Sequence, residues 1–429
     1  MVNRMNGDAK LALIMSTMAF AANFSIWTLY AVLGIHLEPT LNLTATEYGF
    51  LVSSPIITGA LLRWPAGFLC EYFSSRNLFI LQMMLTLPPL LLLNYVSSFI
   101  GYLVMGLLIG ISGASFTIGI HYVSRWFERS QQGVAMGVFG AGNAGAAITL
   151  LLAPYIIEQF GLRLLGPAFA LGMIVIMLLF IFLAPRNNQT KPNKPQPISF
   201  YLEPLKSVNV WRFALYYYFV FGSFLALLLW LPLYYVNAYK LTIQDAMAWT
   251  LVFATSSSLV RALGGWYADQ YGGRTVNWWV FWICLICLFF LSYPPTTMVI
   301  HGVERDVHIN INISLTVFNV LIVIIGLAQG FGRASVYKMI HDYYPQQMGS
   351  VGGTVAMLGG IGGFTLPILF GLGVDLVGVY SASFMLLYGV VAFCMIAMYF
   401  AFKSDKYQRR MQAALKNDFL HKIQQSSLD

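Results

Sequence analysis

Charged residues are scarce in this sequence. Asp, Glu, Lys and Arg make up 9% of its 429 residues and hydrophobic residues make up 58%, with a mean hydropathy of +0.71. In a soluble domain about a quarter of the residues are charged. This composition therefore excludes a soluble domain and predicts an all-α polytopic membrane protein within a lipid bilayer. The net charge of +8 does not indicate a nucleic-acid partner, because the basic residues stand in short connectors between apolar runs.

Cysteine is also scarce. The four cysteines fall in apolar stretches, and the C-x-x-C of Cys284 and Cys287 lies inside WWVFWICLICLFFL with no His or Asp nearby. We therefore interpret the cysteines as packing residues and predict neither a metal nor a cofactor. The connectors contain no nucleophile triad, metal-ligand cluster or nucleotide-binding loop, so the sequence does not indicate an enzyme.

Long hydrophobic runs are abundant, and about twelve of them can span a bilayer as helices of ~20 residues. These segments are 11–35, 48–70, 77–95, 99–123, 134–157, 165–184, 212–236, 246–268, 277–295, 311–333, 350–372 and 381–402. A polar stretch, PRNNQTKPNKPQP, separates the sixth from the seventh. We predict an N-terminal six-helix half (1–184), a central linker (185–210), a C-terminal six-helix half (211–402) and a tail (403–429).

The basic residues predict the orientation, because Lys and Arg favour cytoplasmic loops. With the N-terminus inside, the outer connectors receive only Arg163, Lys240 and Arg305, and the inner side receives the others, with Arg333 and Lys338 among them. We expect a multi-pass protein of the inner (plasma) membrane with both termini and the linker cytoplasmic. The tail is either an amphipathic helix on the inner leaflet or a solvated segment.

Two arginines remain inside apolar segments, and both begin the same motif. RWPAGFLCEYFSSR starts at Arg63 and RALGGWYADQYGGR starts at Arg261, and both fit R-x3-G-x3-[DE]-x-[FY]-x2-R. Each copy lies in and after the second segment of its half. Two six-helix halves related by an internal repeat are the plan of a transporter that rocks around a central site.

The closing loops of this repeat resemble those of the major facilitator superfamily, and two glycine-rich stretches resemble the signatures of its nitrate/nitrite porter family. These stretches are GVAMGVFGAGNAGAAITLLLAP from Gly133 to Pro154 and GSVGGTVAMLGGIGGFTLPILFG from Gly349 to Gly371. The stretches GISGASFTIGIHYVSRWF and YYFVFGSF are also similar to family sequences. The chain departs from the family at Ala262, where proline is frequent, and at Glu71, where Asp is usual. The resemblance implies the superfamily fold over nearly the whole chain and a nitrate or nitrite substrate.

The resemblance also implies a set of substrate-binding residues. Phe116 and Phe221 would be the walls around a flat anion, Tyr217 would donate from its hydroxyl, and Asn143 would help to hold the anion. Tyr217 has tyrosine neighbours on both sides, but a helix turns ~100° per residue, so only one of the three can face the site squarely. Phe116 has core packing as an equal alternative.

The intramembrane arginines indicate an anion independently of the resemblance. A charged side chain at the bilayer centre costs about 2.5 to 3.5 kcal/mol and persists where it faces a cavity and meets a partner. No Asp or Glu lies in the middle of any predicted segment, so the substrate is the simplest counter-charge for Arg63 and Arg261. A planar, forked guanidinium suits a planar oxyanion. The alternative is that both arginines snorkel or bond backbone carbonyls of neighbouring helices.

Two groups of residues are candidates for allowing or controlling helix movement during transport: closely spaced glycines and charged residues of the loops. Closely spaced glycines let helices approach in lipid, which serves packing alone or sliding during transport. The glycines concerned are Gly137, Gly140, Gly142 and Gly145 in the fifth segment and Gly359, Gly360, Gly362 and Gly363 in the eleventh. At the cytoplasmic loops we expect Arg76 and Arg274 to hold helix ends together with Glu71 and Asp269, as a gate.

His121 is the other titratable group well inside a segment. It is a candidate for proton coupling, or else a neutral histidine bonded to a backbone carbonyl. Two repelling arginines favour nitrate/nitrite exchange, because an empty site closes reluctantly. We also expect the protein to be a monomer. The alternatives are nitrate/proton symport, a carrier of another small anion such as a carboxylate, a channel, or a membrane enzyme or sensor.

Overall fold

The computed structural model describes residues 7–127, 129–186, 202–301, 303–345 and 347–426, with the backbone alone at 129–134, 349 and 405–426. Parts of the predicted N-terminal half, linker and tail, namely 1–6, 128, 187–201 and 427–429, therefore lie outside the described residues.

Twelve long helices make up the described chain. They are α1 Gly7–Leu41, α2 Ala45–Tyr72, α3 Ser75–Tyr95, α4 Phe99–Ser124, α5 Ala135–Phe160, α6 Leu162–Leu183, α7 Val208–Tyr239, α8 Ile243–Tyr271, α9 Gly273–Leu291, α10 Leu315–Tyr343, α11 Ser350–Val377 and α12 Ala382–Ser404. All except α2 are both long and apolar enough to cross a membrane. The backbone of the last helix continues without interruption to Ser426, through the predicted tail.

Helix α2 has the required length, since its 28 residues rise ~42 Å. It begins at a capping box, in which Thr44 accepts from the Glu47 N–H and the Glu47 carboxylate accepts from the Thr44 N–H. Its apolar run is interrupted by Pro55, Arg63 and Pro65, which are all inside the helix. The helix that is least suited to lipid is therefore the one that carries the first intramembrane arginine.

Helix α10 corrects one predicted boundary. The segment was predicted over 311–333 with Arg333 in an inner connector, whereas the helix runs from Leu315 to Tyr343 and buries Arg333 completely. The prediction took a charged residue as the end of the membrane segment. Lys338, expected on the inner side after this segment, also lies in this helix.

A β-hairpin between α9 and α10 was not predicted. Its strands are β1 Thr296–His301 and β2 Asp306–Ile311, paired antiparallel. The pairs Met298↔Ile309 and Ile300↔Val307 lie on one face and Val299↔His308 and His301↔Asp306 on the other. One face is therefore apolar, while on the other His301 Nδ1 and Asp306 Oδ1 form a hydrogen bond of 2.9 Å.

Several helices depart from α-helical winding near their middle. The departures are at 28–29 in α1, Gly110–Ala114 in α4, Ala141–Ala144 in α5, Tyr218–Gly222 in α7 and Val260 in α8. The segment in α7 is a π-helix, a rare form that is frequent at functional sites. These irregular turns mark the level at which the arginines lie.

The two ends of the bundle differ in packing. We call the end with the repeat loops 71–76 and 269–274 the loop end, and the opposite end the far end. At the far end, Asp375 of α11 accepts hydrogen bonds from the Ala45 N–H (3.1 Å) and the Thr46 N–H (2.9 Å) at the start of α2. At the loop end, a Cβ on Gly137 or Gly353 would meet no atom within 4 Å. Helices α11 and α2 are therefore in close contact at the far end, whereas Gly137 and Gly353 have open space beside them at the loop end.

Gly371→Ala and Gly137→Ala test this difference. A Cβ at Gly371 would collide with the Ala45 carbonyl oxygen, so we expect a loss of about 1 to 3 kcal/mol of stability and a lower Tm in detergent. Gly137→Ala is the matched control and should leave the Tm unchanged or slightly higher. Equal Tm values for the two variants would contradict the packing described above.

Candidate functional site

Arg63 lies at the centre of the bundle and is 2% exposed. Its Cζ is 5.1 Å from the ring centroid of Trp27, 5.2 Å from that of Phe116 and 5.1 Å from that of Phe221. Aromatic faces attract a cation through their quadrupole. Helices α1, α4 and α7 therefore each contribute one ring to a cage around the guanidinium.

The same guanidinium has one hydrogen bond to the backbone. Arg63 Nη1 donates to the Ala356 carbonyl of α11 at 3.1 Å, whereas Arg63 Nε is buried and has no partner among the described residues. The alternative interpretation, a bond to a neighbouring backbone carbonyl, is thus present in the structure. One bond does not satisfy the fork of five N–H groups, so capacity for an acceptor remains.

Arg261 approaches from the opposite side. It is the first residue of the segment of α8 that follows the break at Val260, and it is partly exposed. A Cβ on Gly140 of α5 would lie 3.3 Å from Arg261 Nη1. Arg261 is also within electrostatic range of Arg63. The two repeated arginines therefore share one site, although they belong to different halves of the chain.

Asn143 lies in the irregular turn of α5, three residues after the glycine that Arg261 approaches. Its side chain is 2% exposed, and Nδ2 has no hydrogen-bond partner among the described residues. Gly142 and Gly145 fix this turn, because they leave room only for Phe20 and the Ala21 carbonyl of α1. The turn is thus packed closely against α1, and the amide contributes a buried donor that has no partner among the described residues.

Of three consecutive tyrosines, only Tyr217 joins this site. Its ring stacks on Phe221 with centroids 5.0 Å apart and meets Tyr337 edge-on at 5.4 Å. Tyr216 instead packs against Phe281, and the Tyr218 hydroxyl is 2.7 Å from Thr365 Oγ1. The π-helical turn that starts at Tyr218 sets Tyr217 and Phe221 on the same side.

Phe116 has two roles in the packing. It faces Arg63, and it also contacts Phe20 at 5.5 Å and Phe139 at 6.0 Å between ring centroids. It therefore connects the cage to the aromatic core formed by α1 and α5.

The glycines of α11 bring its backbone close to α2 and α7. A Cβ on Gly359 would collide with Tyr217, one on Gly362 would lie 2.9 Å from the Tyr218 carbonyl oxygen, and one on Gly363 2.9 Å from Leu225. A Cβ on Gly360 would lie 2.9 Å from Ala60 Cβ and 3.7 Å from Arg63 Nη1. These contacts bring the Ala356 carbonyl within reach of Arg63.

The predicted gate residues contact helix ends of their own half. Arg76 Nε donates to the Ala184 carbonyl after α6 at 3.1 Å, and Arg274 Nη2 donates to the Tyr343 hydroxyl at 2.7 Å. Asp269 Oδ1 lies 3.5 Å from Lys338 Nζ, an ion pair between α8 and α10. Glu71 is the penultimate residue of α2.

His121 lies in α4 on the loop-end side of the cage. Its Nε2 would be 3.8 Å from a Cβ on Gly67 of α2. Gly67 lies between Arg63 and Glu71 along α2, so His121 lies between the site and the loop end.

Three residues of this region were missed by the sequence analysis: Trp27, Tyr337 and Arg333. Trp27 and Tyr337 stand in apolar runs and have no distinctive neighbours in sequence. Arg333 is 0% exposed, and its Nη2 donates to the Ser257 carbonyl (2.6 Å) and Ser257 Oγ (2.7 Å) of α8. The apolar pattern that continues to Ile340 was the signal that could have placed Arg333 inside the membrane.

The electrostatics of the site are one-sided. Among the described residues, no carboxylate pairs with Arg63, Arg261 or Arg333, and no group of three His, Cys, Asp or Glu could hold a metal ion. Three guanidiniums, an unpartnered amide donor and a tyrosine ring surround the centre of the bundle. Such an arrangement can bind and stabilise a small anion.

Comparison with known proteins defines the class. Residues 15–304 match the family model described as Major Facilitator Superfamily. The crystal structure of a bacterial homolog to the human lysosomal transporter Spinster, inward-facing and unoccupied, superposes with a TM-score of 0.69 at 14% identity over 94% of this chain and 98% of that one. The predicted all-α fold of this superfamily is thereby confirmed.

Curated relatives narrow the assignment. A probable nitrate/nitrite antiporter NarK1 of Thermus thermophilus is 34% identical over 96% of this chain and 95% of its own length. A nitrite extrusion protein of Bacillus subtilis is 28% identical over 90% and 92%. The chain belongs to the nitrate/nitrite porter family of the major facilitator superfamily, as the signatures in α5 and α11 predicted. Its family and relatives are transporters, so the protein is not an enzyme.

Proposed function

We propose that this protein carries nitrate and nitrite across the cytoplasmic membrane by alternating access. The observation that carries the proposal is the pair Arg63 and Arg261, which share one site with no carboxylate partner among the described residues. The names of the curated relatives support the choice of substrate.

The binding arrangement follows from the geometry. Arg63 and Arg261 clamp a planar oxyanion from opposite halves, each with paired N–H donors. Asn143 Nδ2 and the Tyr217 hydroxyl donate to the remaining oxygens, and Phe116 and Phe221 enclose the flat faces. A site with this shape and charge suits nitrate and nitrite, and bulkier carboxylates less well.

The two halves, 1–184 and 211–402, are the bodies that move. The loop end carries the basic connectors, so the orientation rule places it in the cytoplasm together with both termini. The end closed by Asp375 then faces outward. The close glycine contacts of α11 with α2 and α7 allow these backbones to slide past each other, while Glu71, Arg76, Asp269 and Arg274 hold the inner helix ends.

The charges favour exchange of nitrate for nitrite, and we take the carrier to be a monomer in the inner membrane. In the empty site the arginines repel each other, which opposes the closed intermediate, and a bound anion relieves that repulsion. Proton symport is the competing mechanism, for which His121 lies on the inner side of the cage.

Proteoliposomes distinguish the two mechanisms. We expect nitrate uptake to require internal nitrite or nitrate, because an empty carrier returns slowly. Arg261→Ala should abolish uptake, which serves as the control for the site. Uptake into vesicles that contain no permeant anion, driven by an imposed proton gradient, would reject exchange in favour of symport.

Arg63→Lys tests the forked contact. The variant keeps the charge and loses the paired donors, so nitrate affinity should fall about tenfold, which corresponds to about 1.4 kcal/mol. Isothermal titration of the purified protein with nitrate measures this. An unchanged affinity would reject the bidentate arrangement.

Tyr217→Phe and Tyr218→Phe form a matched pair. Loss of a hydrogen bond to a charged acceptor costs about 1.5 to 3 kcal/mol, so Tyr217→Phe should weaken nitrate binding tenfold or more. Tyr218→Phe loses only its contact to Thr365 and should bind nitrate as the wild type does. Equal affinities of the two variants would exclude the hydroxyl of Tyr217 as a ligand.

A further inference from the structure

Arg333 is a further cation beside the site, fully buried, and the proposed clamp does not use it. It lies on one face of α10 with Gln329 and Tyr337, at spacings of four residues. Its Cζ is 4.1 Å from the ring centroid of Phe224, and Gln329 Nε2 donates to Ser223 Oγ at 2.7 Å. This face of α10 is therefore directed at α7, just beyond the π-helical turn.

The hydrogen bonds of Arg333 connect it to the backbone of Arg261. In an uninterrupted α-helix the Arg261 N–H would donate to the Ser257 carbonyl. Here that carbonyl accepts from Arg333 Nη2, and the α-helical pattern of α8 is interrupted at Val260 alone, between Ile243–Leu259 and Arg261–Tyr271, although Val260 keeps helical dihedral angles. A side chain that enters the helical hydrogen-bond ladder is a recognised cause of such a break. Arg333 is thus hydrogen-bonded to the joint of α8, the turn at Val260 from which Arg261 starts.

The charge of Arg333 also acts on the site. Arg333 is within electrostatic range of Arg261 and Tyr217, and Arg63 is within range of the same two residues. Arg333 Nε and Nη1 are buried and have no partner among the described residues. The ion pairs of the described residues provide no carboxylate to offset this charge. Arg261 is therefore subject to repulsion from two cations.

We propose that Arg333 is a positioning residue that enforces exchange: it holds the joint of α8 and adds a third positive charge to the transport site. The proposal rests on the exchange mechanism proposed above. With three cations the empty site resists closure more strongly than the repeated pair alone would, whereas a bound anion lowers the repulsion around Arg261. Arg333 therefore increases the difference between the loaded and the empty carrier.

The test separates charge from hydrogen bonding. Arg333→Gln keeps an N–H donor for Ser257 and removes the charge, and Arg333→Lys keeps the charge with a simpler donor. For each variant in proteoliposomes, nitrate uptake is measured with internal nitrite and without any internal anion. The ratio of the two rates is the readout, because a residue that only stabilises the fold would change both rates together.

We expect a high ratio for the wild type and for Arg333→Lys, and a ratio lowered about fivefold or more for Arg333→Gln, because the empty carrier then returns faster. If the Gln variant does not fold, Arg333→Met, of similar volume, replaces it. An unchanged ratio in the uncharged variant would overturn the proposal, as would an equal decrease in Arg333→Lys. A wild type that takes up nitrate without internal anion would instead refute exchange itself, whatever the variants do.

Discussion

The burial of positive charge with no counter-charge from the described part of the chain is the constraint on which this architecture depends. Arg63 is kept among three aromatic rings and one backbone carbonyl, which stabilise a cation without neutralising it. A carboxylate in the same place would compete with an anionic substrate, whereas rings and carbonyl dipoles leave the net charge intact. The free-energy cost of the buried positive charge therefore remains in the empty site, and a bound anion can lower it.

The internal repeat explains why arginines and glycines occur on different helices. Arg63 of α2 reaches α11, and Arg261 of α8 reaches α5, so each arginine meets the glycine-rich helix of the opposite half. A guanidinium can approach a helix backbone closely only where side chains are absent. The two contacts are not equal in this conformation, since Arg63 is enclosed and Arg261 is partly exposed. In the proposed rocking motion, Arg63 becomes more exposed while Arg261 becomes enclosed.

The sequence was sufficient to predict the family, the helical fold and the repeated motif that begins at Arg63 and Arg261, because each has a strong and local signal. Its failures have physical causes. Arg333 was assigned to a connector because charge normally ends a membrane segment, and only the tertiary contacts with Ser257 and Phe224 make its burial tolerable. The hairpin between α9 and α10 and the π-helical turn of α7 depend on backbone pairing that hydrophobic periodicity does not report.

The break in α8 has a mechanical consequence. Arg261 is the first residue after the break, and Asp269 lies eight residues further along the same segment, ~12 Å away. When a rigid rod pivots at one end, that end barely moves, so a 10° swing displaces Asp269 by roughly 2 Å and Arg261 by a small fraction of this. A tilt of this segment about its contact with Arg333 therefore changes the Asp269–Lys338 ion pair at the loop end, while the guanidinium of Arg261 stays close to its place.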